Sequence, residues 1–245
     1  MHAVLYLLAL VAGTIWYGST VILASWFRRP HRREGVYERA ARSWGRLLLR
    51  AAGVTVAARG TEHLSQTEAQ IIVANHQSWF DILAVFSVLP VEVRFVAKKE
   101  LFAIPFFGGT LKALGHIRLD RTNLKAAIAA YEVAAGYIRD QRLSVLVFPE
   151  GTRSRTGLLQ PFKSGPFVLA IQSGAPVVPL YVAGTFGILP KGSIRVRPSA
   201  VTVTVGEPIA TTGLALDDRE ALRDRTRAAV ARLRAASVDA HRDAP

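Results

Sequence analysis

The 245-residue sequence contains no cysteine. Disulfides, thiolate–zinc centres and a cysteine nucleophile are therefore excluded. Several motif classes are missing as well: a G-x-S-x-G elbow, H-E-x-x-H, G-x-G-x-x-G and a Walker A loop. The segment running Gly187-Ile188-Leu189-Pro190-Lys191-Gly192-Ser193 has two glycines, but glycine and not lysine stands directly before its serine. Nucleotide hydrolysis and zinc chemistry thus lose their support, and one His with one Asp does not make a metal site. Acidic residues are scarce, 18 Asp and Glu against 31 Lys and Arg, which leaves a net charge of +13. Between residues 3 and 27 there is no charged side chain at all. No internal repeat or long linker interrupts the chain.

Half of the residues are apolar and 20% are charged, a balance that excludes disordered and low-complexity classes and predicts a globular body. The charge calls for a polyanionic partner. Arginines 28, 29, 32, 33, 39, 42, 46 and 50 crowd directly behind the uncharged stretch, where an anionic membrane surface attracts them. Aromatics are not interleaved with the basic run as a single-strand platform needs, so nucleic acid is not the expected partner. At about 1.5 Å per residue, residues 3–27 are long enough to cross a hydrocarbon core roughly 30 Å thick. The segment predicts either one spanning helix or, with residues 36–50 lying at the interface, a half-inserted helix pair. Positive charge behind the apolar run places the bulk of the chain on the cytoplasmic side of the cell membrane. The expected division is a membrane-associating part over residues 1–50 and a catalytic domain over 51–245.

Beyond Gly53 short apolar or β-branched runs alternate with helical stretches. Strands are expected at 54–58, 71–74, 93–97, 116–119, 145–148, 177–182 and 201–205. Helices are expected at 79–89, 105–114, 124–139, 166–173 and 218–237. Alternation of this kind predicts an α/β fold, a mainly parallel sheet flanked by helices, with an N-terminal membrane helix or helix pair.

Two polar clusters follow strands, at the sheet edge where such folds place their sites, and a third lies along a strand. The first is Asn75-His76-Gln77-Ser78-Trp79-Phe80-Asp81. With Ser78 as N-cap, Asp81 falls in the first helical turn and can fold back to His76, orienting the imidazole as a general base. A capping box alone is the structural alternative. The second is Phe148-Pro149-Glu150-Gly151-Thr152-Arg153-Ser154-Arg155. Here Gly151 permits a sharp turn, Arg153 offers a planar fork for phosphate, and Glu150 can bind a headgroup or position Arg153. The third, Gly115-His116-Ile117-Arg118-Leu119-Asp120-Arg121, ends on Arg121, which can join Arg153 in an anion site. Lys98, Lys99 and Lys163 are further cations of this kind. The run Val177-Val178-Pro179-Leu180 reads as an edge or bulged strand because of its proline. The apolar stretch at residues 101–115 is too short to span a membrane; it can line an acyl path or pack in the core.

In this order, NHQSWFD, GHIRLDR, FPEGTRS and VVPL resemble the four blocks of the 1-acyl-glycerol-3-phosphate acyltransferase family. The resemblance covers residues 71–180, and the first and third blocks carry it. It implies that His76 is the base and Asp81 its partner. It further implies that Glu150, Gly151, Thr152 and Arg153, with Arg121 and Lys99, hold a glycerol phosphate. The donor implied is an acyl thioester of coenzyme A or acyl carrier protein, and the acceptor is membrane lysophosphatidate acylated at its sn-2 hydroxyl to phosphatidic acid, without a cofactor or metal. Arg118 stands where relatives carry an aromatic or aliphatic residue. That departure leaves open another lysolipid acceptor, such as a lyso-ornithine lipid, while a non-catalytic lipid-binding protein is the alternative from a different class.

Overall fold

The computed structural model describes residues 2–120, 124–193 and 195–242. A long apolar helix, α1 (His2–Trp26), turns through the arginine-rich residues 27–35 into α2 (Val36–Ala51). The strands follow as β1 (Thr55–Arg59), β2 (Gln70–Ala74), β3 (Val93–Lys98), β4 (Ile117–Leu119), β5 (Ser144–Val147), β6 (Val177–Ala183) and β7 (Ala200–Val205). Helices α3 (Phe80–Val88), α4 (Phe107–Ala113), α5 (Leu124–Gln141) and α6 (Gly165–Ser173) connect them. A single turn, α7 (Thr185–Ile188), follows β6, and α8 (Arg219–Arg242) closes the chain. All seven expected strands form, each within a residue or two of its sequence bounds. The short α7 was not expected, because four residues carry too little periodicity to register.

The strands make one seven-stranded sheet in the order β1-β7-β6-β2-β5-β3-β4. Strands β6, β2, β5, β3 and β4 are mutually parallel, β7 is antiparallel to β6, and β1 runs parallel to β7. Period-two alternation divides the core cleanly. Ile72 and Ala74 of β2 face α3 and the end of α2, whereas Ile71 and Val73 face α5, α6 and α8. Burial on both faces explains why β2, β5 and β6 read as unbroken apolar runs rather than alternating ones.

The proline strand is a correction. β6 lies in the interior of the sheet, not at its edge. The Ile71 N–H donates to the Pro176 carbonyl, so β6 residues of even number turn their polar groups toward β2, and Pro179 turns away. On that far side Val177 pairs with Ile209 and Leu180 with Val205, while the Pro179 carbonyl accepts the Gly206 N–H. The missing N–H of Pro179 thus faces Gly206, just past the end of β7, so the ladder forgoes only the second bond of its last pair.

Helix α1 is held to the body by close approaches. A Cβ at Gly13 would lie 2.7 Å from Leu47, and one at Gly18 would lie 2.7 Å from the Phe106 ring. The opposite face is bare, with Trp16 72% and Trp26 79% exposed. Val4–Trp26 is long and apolar enough to cross a membrane. Helix α2 is no detached anchor: its Leu48 and Leu49 share a core with Phe80, Leu83 and the sheet. The polar face of α2 also reaches α3, where Arg42 donates to the Leu89 carbonyl and Arg46 to that of Ser87.

Candidate active site

Three neighbouring parallel strands, β6, β2 and β5, end at one edge of the sheet, and the loops that leave them build the site. β2 delivers Asn75 and His76, β5 delivers Phe148 to Arg153, and β6 delivers Thr185. Asn75 locks the first loop to β6: its Nδ2 donates to the Val182 carbonyl and its Oδ1 accepts the Val182 N–H. His76 stacks on Phe148, ring centroids 4.1 Å apart and 16° from parallel.

Asp81 is fully buried at the start of α3. One carboxylate oxygen accepts the Gln77 N–H at 2.7 Å, the Ser78 N–H at 2.9 Å and His76 Nδ1 at 2.8 Å. The other accepts the Thr185 hydroxyl. Every neighbour of the carboxylate is a donor, so His76 Nδ1 carries the proton and Nε2 is the basic nitrogen. Nε2 has no hydrogen-bond partner among the described residues. The imidazole is therefore fixed in tautomer and plane, with its lone pair free, which is what a general base requires. α3 begins at Phe80, one residue later than a Ser78 N-cap implies, yet capping contacts are present: the Ser78 N–H donates to Asp81, and its hydroxyl accepts the Phe80 N–H at 3.4 Å while donating to the Leu189 carbonyl at 2.9 Å.

The glycine loop clamps His76 from both sides. Glu150 Oε1 accepts the His76 N–H at 2.9 Å, and the Ser154 N–H donates to the His76 carbonyl at 2.8 Å. Glu150 Oε2 accepts the Nε2 of Gln160 at 2.9 Å and, more weakly, its backbone N–H at 3.4 Å. Its carboxyl is buried, and both of its oxygens accept N–H groups of the protein, which ties this loop to the backbone of His76. Burial pushes this carboxyl up to about 7, against the N–H donors of His76 and Gln160, with a smaller push from Asp81.

Gly151 has φ +73°, so the turn that presents Thr152 and Arg153 uses backbone that side chains avoid. Arg153 lies over the Trp79 ring, 5.2 Å from its centroid. Trp79 thus joins the first loop to the cation of the second. Lys99 stands at the end of β3, where Nζ pairs with Asp120 at 2.6 Å. Arg121 lies outside the described residues. His116 is not part of the proton machinery. Its Nδ1 accepts the Phe95 N–H, and burial, with Arg94 adding to it, pushes its pKa down to about 3.

Beside the site opens an apolar cavity of about 1210 Å³. Its walls include Tyr6 and Leu10 of α1, Trp44 of α2, Phe106 and Leu111 near α4, and Arg153 at the polar end. The stretch 101–115 therefore lines this space. Thr185, Gln160 and Lys191, which donates to Thr152 Oγ1 at 2.8 Å, carried no signal in the sequence because their partners are distant in the chain. Asn75 and Ser154 stood inside the two recognised motifs without a role assigned to them.

The Acyltransferase family pattern matches residues 55–183. A 1-acyl-sn-glycerol-3-phosphate acyltransferase of Cocos nucifera is 36% identical over 209 residues, covering 85% of this chain and 66% of that protein. The enzyme of the same name from Limnanthes douglasii is 36% identical over 214 residues, covering 87% of this chain and 74% of its own. The chain thus spans about two thirds to three quarters of the length of these relatives. Among solved structures, the 1-acyl-sn-glycerophosphate acyltransferase PlsC of Thermotoga maritima superposes with a TM-score of 0.78 at 25% identity, over 96% of this chain and 95% of that one.

Proposed function

The chain belongs to the acyltransferase family that includes the 1-acyl-sn-glycerol-3-phosphate acyltransferases, and from that premise we propose that it acylates the sn-2 hydroxyl of lysophosphatidate to give phosphatidic acid. The observation that carries the reading is the His76 Nδ1 to Asp81 bond of 2.8 Å, with Nε2 unpaired among the described residues, beside a cavity that reaches Trp79 and Arg153 and is large enough for an acyl chain. The donor is an acyl thioester of coenzyme A or acyl carrier protein.

The acceptor oxygen attacks the thioester carbonyl carbon, forming a C–O bond, while His76 Nε2 takes the hydroxyl proton. Asp81 stabilises the imidazolium that results. The tetrahedral oxyanion collapses, the C–S bond breaks, and the departing sulfur takes the proton back from Nε2. Protons and electrons balance with no acyl-enzyme and no cofactor. General-base assistance contributes about 10²–10⁴-fold, and binding that aligns the hydroxyl with the carbonyl supplies much of the remainder. Arg153 binds the acceptor phosphate, its guanidinium held in place by Trp79. Arg121 joins it. Gly151 sets the turn, and Thr152 is the adjacent hydroxyl donor.

The bare face of α1 and the arginines of residues 27–35 seat the protein on an anionic bilayer with the catalytic domain on the cytoplasmic side, so that the acceptor enters from lipid. The test is acyl transfer from a thioester to lysophosphatidate, followed by thiol release and product lipid, for wild type, His76→Ala and Arg153→Ala. Turnover in wild type, abolished in H76A and weakened through acceptor KM in R153A, supports the reading. Turnover that survives in H76A refutes the mechanism, and wild-type turnover on other lysolipids alone refutes the acceptor.

A further inference from the structure

Lys191 sits on a tight turn between α7 and β7. The Ser193 N–H donates to the Pro190 carbonyl at 3.0 Å, and Gly192 has φ +92°, the geometry of a type II turn with Lys191 at its first corner. The turn is braced against the catalytic loop, since the Leu189 carbonyl accepts the Ser78 hydroxyl at 2.9 Å and the Ile188 carbonyl accepts the Arg197 N–H. From this position Lys191 Nζ donates to Thr152 Oγ1 at 2.8 Å. Leu189, Gly192 and Ser193 of the same turn line the cavity with Trp79 and Arg153. Lys191 therefore stands at the mouth of the substrate space, beside the residue next to Arg153. Among the described residues no carboxylate pairs with it.

We propose that Lys191, acting with the Thr152 hydroxyl, is the residue by which this protein selects a phosphomonoester acceptor over phosphodiester lysolipids. The inference rests on the acceptor reading given above. A guanidinium fork binds two phosphate oxygens in one plane. A phosphodiester has only those two terminal oxygens and a single charge. A phosphomonoester has a third terminal oxygen and carries about −1.5 to −2 at neutral pH, so it gains from a second cation placed outside the fork. The Thr152 hydroxyl accepts from Lys191 and has its own proton left to donate to an oxygen of that phosphate, which places the lysine charge close by. The Lys99 ammonium already has its charge partly offset by Asp120, to which it is paired at 2.6 Å.

The test uses the full chain in lipid–detergent micelles, with lysophosphatidate and lysophosphatidylglycerol of the same acyl chain as alternative acceptors. Wild type, Lys191→Ala and Lys191→Arg are compared. Charge-assisted hydrogen bonds of this kind correspond to about a tenfold to hundredfold change. K191A is expected to raise KM for lysophosphatidate by that factor while leaving its kcat, the donor KM and the KM for lysophosphatidylglycerol in place, and K191R is expected to restore most of the preference. An unchanged acceptor preference in K191A overturns the proposal. So does an equal loss on both acceptors, or a rise in donor KM instead, which would assign Lys191 to the donor. Wild-type turnover confined to lysophosphatidylglycerol refutes the acceptor reading and this inference together, whereas wild-type preference for lysophosphatidate that K191A preserves refutes the role of Lys191 alone.

Discussion

Replacing Glu150 by Gln tests whether a buried carboxyl behind the base makes the fold sensitive to pH. Glu150 is 5% exposed, and burial raises its pKa to about 7 from an ordinary 4.5. Below 4.5 the carboxyl is protonated in both folded and unfolded chains. Between 4.5 and 7 the unfolded chain loses its proton while the folded one keeps it, so stability falls as pH rises through this window and levels off above 7. The shift from 4.5 to about 7 corresponds to about 3 kcal/mol. For a chain of this length that is roughly 6–12 °C in Tm. Gln does not titrate, and it can still accept the His76 N–H, though its amide faces the N–H groups of Gln160. E150Q is therefore expected to start lower at pH 5 and to lose less on going to pH 8, so that the two melting curves converge. Thermal unfolding in detergent from pH 4 to 8, followed by circular dichroism, reads the difference. Parallel curves for the two proteins would refute the argument, because they would mean that Glu150 ionises alike in both states.

Asp81→Asn keeps the shape of the buried carboxylate but removes the charge that stabilises imidazolium, and kcat is expected to fall about 10²–10⁴-fold with KM little changed; a loss below tenfold would contradict the role given to Asp81. Thr185→Val leaves a buried carboxylate oxygen without its hydroxyl donor and should cost about 1–3 kcal/mol in a denaturation midpoint, with activity lowered but present. An unchanged midpoint would mean that another group satisfies Asp81. Gly18→Leu drives a side chain into the Phe106 ring and Thr110, so α1 must move off α4 and reshape the cavity wall. Comparing long and short acyl thioesters should show a larger loss on the long chains; equal loss on both would separate α1 from chain binding.

The central strands β2, β5 and β6 were legible because their apolar runs are local and buried on two faces. The same holds for His76 and Asp81, since a short loop running into the first residues of α3 brings an imidazole and a carboxylate five residues apart together. Glu150 was legible as a candidate, but its partners were not: the motif left it to bind a headgroup or to position Arg153, and only the pairing of β2 with β5 turns its carboxylate inward to the His76 N–H. Pro179 misled for a related reason, because a proline is tolerated inside a sheet when its missing N–H falls beyond the end of the neighbouring strand.

Composition and short-range pattern by themselves determined an α/β chain with a membrane-seeking first helix, a His–Asp pair after one strand and a glycine turn bearing arginine after another. Each of these depends on residues close in sequence. The tertiary structure alone decided that Thr185 completes the Asp81 shell, that α1 walls the cavity, and that Lys191 reaches Thr152. Those contacts join segments that meet only because β6, β2 and β5 lie side by side and because α1 packs across α4. Strand order and helix docking arise from the burial of the whole chain, and no local run of residues encodes them.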